Sequence, residues 1–217
     1  MVDILIADDH EVVRSGYRRL FEMGGENKIV AEASCAAEAL TLFKEKKPGL
    51  LVMDVMMPGP SIIDSLRRIM SFDVNACVLV VSMYDSLSLV ERCFKAGALG
   101  YVTKSSPGAV LLDALAQVAK GKRFISPDIA DKMALNKLDM KEGSILSVLT
   151  PREFEVFLRL VRGQDINAIS AEMNISNKTI SNYASKVKQQ LAVSTTAELV
   201  HLALQENLLD YNEGLLN

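Results

Sequence analysis

The sequence predicts an α/β unit built on a five-stranded parallel sheet, followed by an all-α unit of four short helices. Three observations carry that prediction. Apolar runs of four to six residues alternate five times with helically spaced segments over the first 121 residues. From Thr150 onward the apolar residues recur at helical spacing behind capping signals. The 217 residues are enough for one large domain or two small ones, each with a workable core.

The first run, Val2 to Ala7, ends in Asp8-Asp9, and helical spacing follows through Val13, Tyr17, Leu20 and Phe21 before Gly24-Gly25. Lys28 to Ala33 reads as a second strand, and Ala36 to Lys46 as a helix. Leu50 to Asp54 reads as the third strand, stopped by Met57-Pro58-Gly59, with a helix from Ile62 to Met70. Cys77 to Ser82 and Gly100 to Thr103 complete the strands, and Leu87 to Ala96 and Ala109 to Ala119 the helices. Parallel strands need right-handed crossovers, so helices cover both faces of the sheet.

In such sheets ligands sit at the carboxyl ends of the strands. Asp8, Asp9, Asp54, Ser82, Tyr101 and Lys104 all fall there. A lone Asp54 is as readily a turn-capping residue. Three carboxylates on one edge repel unless a cation joins them, and a hard ion such as Mg2+ suits oxygen donors that must also admit phosphate. Lys104 and the Ser82 hydroxyl complete a phosphate cradle, which leaves Asp54 as the nucleophile.

Residues 122–148 read as a connector. Ser126-Pro127-Asp128 starts a short helix, and Asn136 to Ser144 is a polar tether. Thr150-Pro151-Arg152-Glu153 is a capping box before the apolar face Phe154, Phe157, Leu158 and Val161. Asp165 opens a second helix with Ile166, Ile169 and Met173 inward, and Asn174-Ile175-Ser176 is a tight turn into a third helix, about Asn177 to Gln190. Thr195-Thr196-Ala197-Glu198 opens the fourth. Two helices across so short a turn fit a helix-turn-helix.

In the third helix Ile180, Ala184, Val187 and Leu191 pack inward, while Lys178, Asn182, Ser185 and Gln189 share another face. Ser176 to Gln190 holds three lysines and no acid in a chain of net charge -3. Lysines attract phosphates and Ser or Asn side chains read base edges; a plain solvated face is the alternative. His10 follows the acidic pair at the start of the first helix, where it can approach the pocket, although a surface imidazole is the preferred reading; the apolar residues around His201 fit either a dimer surface or intradomain packing. Cys35, Cys77 and Cys93 lack metal-ligand spacing and read as reduced thiols. No apolar run has the roughly 18 residues a bilayer span needs, so a cytoplasmic protein without membrane contact is expected.

Residues 1 to about 121 resemble the receiver domain of two-component response regulators, whose flavodoxin-like sheet order is a standard example of this topology. The resemblance rests on Asp8-Asp9, Asp54, Met56-Met57-Pro58, Ser82 and Tyr101-Val102-Thr103-Lys104. It implies Asp54 as phosphoacceptor, Asp8, Asp9, Asp54 and the Met56 carbonyl as Mg2+ site, Ser82 and Tyr101 as switch residues, and a cis Lys104-Ser105 bond. From Leu149 to Leu199 the chain resembles the LuxR-type helix-turn-helix of the NarL/FixJ subfamily through Leu149-Thr150-Pro151-Arg152-Glu153 and Ile175-Ser176-Asn177-Lys178-Thr179-Ile180, which makes residues 149–217 the expected DNA-binding domain.

Ser181 and Tyr183, with Arg123-Phe124-Ile125-Ser126-Pro127, are similar to the BvgA- and GacA-like branch. Lys178, Thr179, Ser181, Asn182, Ser185, Lys186 and Lys188 are then the expected DNA contacts. The implied protein is a phosphorelay transcription regulator, with no enzyme activity beyond Mg2+-dependent self-phosphorylation and dephosphorylation. Its partners would be a sensor histidine kinase and promoter DNA, bound as a homodimer, with contact to RNA polymerase compatible. Ile62 stands where the family has glycine, so the loop after Asp54 is expected to differ in shape. An Asp-nucleophile phosphatase is disfavoured because Met56 replaces the second Asp such enzymes carry, and a phosphate-independent interaction protein is the other rival.

Overall fold

The structure is a computed structural model and describes residues 1–23, 25–138, 145–206 and 208–209. The chain divides into two compact units, Met1–Met83 with Val90–Asp139 and Tyr84–Leu89 with Met140–Asn217.

The N-terminal elements are β1 (Val2–Ala7), α1 (Glu11–Glu22), β2 (Asn27–Ala33), α2 (Ala36–Lys46), β3 (Leu50–Asp54), α3 (Ile62–Phe72), β4 (Val78–Ser82), α4 (Leu87–Lys95), β5 (Gly100–Thr103), α5 (Gly108–Val118), β6 (Phe124–Ile125) and α6 (Pro127–Leu138). Among the described residues the sheet runs β2-β1-β3-β4-β5-β6, every pair parallel. β3 and β4 are buried along their whole length, which is why they read as continuous apolar runs rather than alternating ones. Ile4, Ile6, Val52, Leu79, Val81 and Val102 pack with Phe21 of α1 and with Leu111, Ala114, Leu115 and Val118 of α5 on one face. Leu5, Leu51, Met53 and Val80, their alternates, are buried toward the other face, on which α2 and α3 pack together.

Register brings the strand ends level. Ala7 pairs with Met53, Asp54 with Val81, and Ser82 with Thr103. Gly100 is required by packing: a Cβ there would lie 2.6 Å from both Leu79 Cδ1 and Val118 Cγ2.

Three expectations are corrected. A sixth strand, β6, adds to β5, with the Phe124 amide donating to the Leu99 carbonyl (3.0 Å) and the Ser126 amide to that of Tyr101 (3.0 Å). Two residues are too few to carry a period. The connector helix is not short: α6 continues through Asn136 to Leu138, and the rest of the expected tether, 139–144, lies outside the described residues. Lys104-Ser105 is trans: no cis bond is present among the described residues, and Ser105 lacks the tertiary amide that narrows the trans preference.

In the C-terminal unit one 3-10 turn (Ile145–Val148) precedes α7 (Pro151–Val161), α8 (Ile166–Met173), α9 (Asn177–Gln190) and α10 (Thr196–Gln205). Thr150 and Glu153 form the expected capping box, with Pro151 at the first helical position. Asp165, Ser176 and Thr195 cap the next three helices through their side chains. Asn174 takes the left-handed conformation (φ 54°) that ends α8, and two residues later α9 begins its cap. Phe154, Val156, Phe157, Leu158, Leu160 and Val161 of α7 are buried, with Ile169, Met173, Ile180, Val187, Leu191, Leu199 and Ala203 from the other helices and their caps. Ile166 is only half-buried.

Candidate functional site

The level strand ends converge on one ammonium. Lys104, one residue beyond β5, puts Nζ 2.6 Å from Asp8 Oδ2 and 2.8 Å from Asp54 Oδ2, ninety-six and fifty residues away. Asp8 and Asp54 are buried. The other oxygen of Asp54, Oδ1, accepts the Val55 amide at 2.6 Å, which holds the carboxylate plane at the end of β3. Asp9 stands at the mouth, its side chain about one-third exposed.

Burial pushes the Asp54 carboxyl above its ordinary range, and Asp8 adds to the rise while Lys104 opposes it. Burial alone would lower the Lys104 ammonium, but the two carboxylates outweigh it and hold it above the ordinary lysine value. Asp8 and Asp54 share the Lys104 ammonium and Asp9 stands beside them, so the pocket carries a formal -2 when His10 is counted neutral, and it attracts any further positive charge. Arg14, the next cation outward, is engaged by Glu32 (3.3 Å) and the Asp8 carbonyl (2.7 Å).

Ser82 lies fully buried at the end of β4, and its carbonyl accepts the Lys104 amide at 2.6 Å. Tyr101 is also fully buried. Met56 is half-buried, two residues beyond Asp54. Ile62 starts α3 and is buried, Ser61 caps it by accepting the Asp64 amide (3.0 Å), and Gly59 takes the positive φ (105°) of the loop. A glycine is therefore not needed at position 62.

His10 is a surface imidazole, as expected, that also approaches the pocket. Its Nδ1 lies 2.9 Å from Asp9 Oδ1 and 3.3 Å from Asp8 Oδ1, and ligand atoms of Asp8, Asp9, His10 and Asp54 all lie within 4.8 Å of one another. The available signal was adjacency to the acidic pair at a helix start. Thr103 was missed: its hydroxyl donates to Asp128 of α6 at 2.8 Å and contacts Ser106 (2.9 Å) and Ser105 (3.1 Å).

On α9, Lys178, Ser181, Asn182, Ser185, Lys186 and Gln189 are exposed, while Thr179 and Lys188 are half-buried. Thr179 Oγ1 is 2.9 Å from the capping Ser176 hydroxyl, so it is shared with the cap. At 100° per residue Ser185, Gln189 and Asn182 fall within roughly 40° of Lys178, and Lys186 and Lys188 flank that stripe. The inward face is as expected, with Ile180, Val187 and Leu191 buried and Ala184 half-buried. Carboxylates from neighbouring helices approach its margin: burial alone would raise Glu153, but the Thr150 amide and hydroxyl, with Lys186 adding, hold it low. Glu198 is held low by the Ser194 amide, with Thr195 and Lys188 adding.

The response regulator receiver domain model matches residues 4–116, and the model of bacterial regulatory proteins of the luxR family matches residues 147–203. The chain is similar to the response regulator UvrY of Escherichia coli K12, 32% identical over 209 residues and 96% of each chain. It is similar to the transcriptional activator protein ExaE of Pseudomonas putida, 38% identical over 208 residues, 95% of this chain and 97% of the other. A two-component response regulator of the LuxR family from Aurantimonas sp. SI85-9A1 superposes at TM-score 0.62 with 41% identity, over 64% of this chain and 99% of that one. RcsB of Salmonella enterica serovar Typhimurium, bound to promoter rprA in the presence of phosphomimetic BeF3-, shares the fold at TM-score 0.72 and 23% identity, over 93% and 97%. With both halves matched and relatives aligned over nearly its whole length, the chain belongs to the two-component response regulators of the NarL/FixJ subfamily, in the branch of UvrY and GacA, and is a LuxR-type DNA-binding transcriptional regulator.

Proposed function

We infer that Asp54 accepts a phosphoryl group from a sensor histidine kinase and that this controls DNA binding by α9. The observation that carries the reading is the Lys104 ammonium held between Asp8 and Asp54 at 2.6 and 2.8 Å on a level row of strand ends. An Asp54 oxygen attacks phosphorus while the bond to the donor's nitrogen or oxygen breaks, and the leaving group departs with that electron pair. Lys104 is placed to shift from the carboxylate to a phosphoryl oxygen, and the Ser82 hydroxyl to follow it. Asp8, Asp9, Asp54 and the Met56 carbonyl offer hard oxygen donors, which fits Mg2+, and would hold it. Bound there, it supplies charge neutralisation to the phosphoryl oxygens. The same residues support self-dephosphorylation, with no other enzyme activity.

The phosphoryl group brings about -1.5 to -2 of charge beside Lys104, and Ser82 and Tyr101 are the switch residues that report it. We assign residues 1–121 to the receiver, 122–148 to a connector and 149–217 to DNA binding. Lys178, Lys186 and Lys188 neutralise phosphates, and Ser181, Asn182 and Ser185 read promoter bases, with Thr179 at the groove edge. Half-buried Val200, Leu202 and Leu204 of α10 suit a homodimer on paired half-sites. Among the described residues no helix is long and apolar enough to cross a membrane; a cytoplasmic protein that meets RNA polymerase at promoters is the setting we propose.

The test is labelling of the full chain by a small-molecule phosphodonor with and without Mg2+. Asp54→Asn is expected to abolish it. Labelling of Asp54→Asn at full stoichiometry overturns the assignment.

A further inference from the structure

We propose that His10 is a metal-contacting residue of the acidic pocket and tilts it toward nitrogen-accepting divalent ions such as Co2+ relative to Mg2+. The proposal rests on the metal reading above and specifies it.

His10 is the cap residue of α1, yet its side chain makes no capping hydrogen bond. The caps of α3, α7, α8, α9 and α10 all spend their side chains on a helix amide. The His10 imidazole instead turns to the acidic pair. The His10 amide donates to Asp8 Oδ1 at 2.9 Å, which folds the backbone back, and Nδ1 stands 2.9 Å from Asp9 Oδ1 and 3.3 Å from Asp8 Oδ1. An octahedral ion with bonds of about 2.0–2.1 Å sets adjacent donor atoms roughly 3.0 Å apart. The separations around Nδ1 bracket that value, and Asp54 completes a set whose donors lie within 4.8 Å. His10 is two-thirds exposed, so it reaches an incoming ion without displacing core residues.

Chemistry then separates the ions. Carboxylate, carbonyl and water oxygens suit Mg2+, whereas imidazole raises the affinity of Co2+, Ni2+ and Zn2+. A pocket of oxygens alone discriminates by size and charge; one imidazole adds a preference that Mg2+ does not share.

Equilibrium titration of the full chain with Mg2+ and with Co2+ separately, following the Co2+ visible absorption in the second case, tests this. The variants are His10→Gln, which keeps a polar side chain, and His201→Gln as a control for the chain's other histidine. His10→Gln is expected to lose about tenfold or more in Co2+ affinity, the loss that even an outer-shell partner's removal brings, and to weaken the Co2+ absorption while Mg2+ binding holds within about twofold. His201→Gln is expected to leave both ions unchanged. An equal loss for Mg2+ and Co2+, or none, overturns the role of His10 alone. Failure of the unaltered chain to bind either ion overturns the metal reading itself.

Discussion

Each half of the molecule holds a cation between two carboxylates, and the two arrangements differ in charge balance. In the receiver, Lys104 serves Asp8 and Asp54 with Asp9 at the rim. In the C-terminal unit, Arg159 serves Glu155 (3.3 Å) and Glu172, while Arg152 takes the second oxygen of Glu155 (3.0 Å) and the Gln164 amide that of Glu172 (2.9 Å). The second cluster has two acids, two guanidiniums and a partner for each carboxylate oxygen. The first has three acids and one ammonium. A balanced fork is a brace, and an unbalanced pocket with an open mouth is a receptor.

The sharpest way to break that contrast is to remove each cation. Lys104→Met is expected to lower phosphotransfer to Asp54 by about 10^2–10^3-fold, the scale of losing one transition-state donor. Its lost stability is expected to return when millimolar Mg2+ is added, because the pocket accepts an ion in place of the ammonium. Arg159→Met is expected to destabilise the C-terminal unit by about 3–5 kcal/mol with no recovery in Mg2+ and no change in labelling. Thermal unfolding with and without Mg2+ decides it; equal behaviour of the two variants would dissolve the distinction.

A smaller effect sharpens the comparison from the solvent side, where α9 carries charge without burial. Asn182→Ala is expected to relax sequence preference by about 1–3 kcal/mol at one base position. Lys178→Ala is expected to weaken all DNA alike and reduce the salt slope by about one. Binding to specific and random duplexes over a salt series separates the two; parallel losses for Asn182→Ala would refute base reading.

The smallest effect concerns the cap of α7. Thr150→Ala is expected to cost about 1 kcal/mol. Glu153 is held below its unfolded value, so its contribution is full above the ordinary carboxylate range and disappears as pH falls through its lowered value. Denaturant titrations down the pH scale should show that loss in the unaltered chain and a reduced one in Glu153→Gln. An unchanged acid dependence would argue that the charge on Glu153 is immaterial to the cap.

Legibility from sequence follows the range of the physics. Strand ends are set by local apolar runs, and parallel topology puts them side by side, so the placement of Asp8, Asp54, Ser82 and Lys104 at one edge was readable. The capping box of α7 and the two faces of α9 are likewise local patterns. Arg159 and Glu172 meet only through the angle at which two helices pack, and nothing in either helix's own period announces it. Thr103 and Asp128 are joined across twenty-five residues for the same reason. His10 was visible but ambiguous, since an imidazole beside two carboxylates is ordinary until its Nδ1 is placed.

The two-residue strand β6 has a practical consequence for dissecting the protein. A receiver fragment ended at residue 121 would strip Phe124 and Ile125 from the sheet margin and leave one side of β5 without its ladder partners. Bare strand margins recruit other chains, so such a fragment is expected to self-associate through that side. It would also lack Asp128 and hence the hydroxyl tie beside Lys104. A fragment ended after Leu138 keeps both and is the better choice for isolating the phosphoacceptor chemistry.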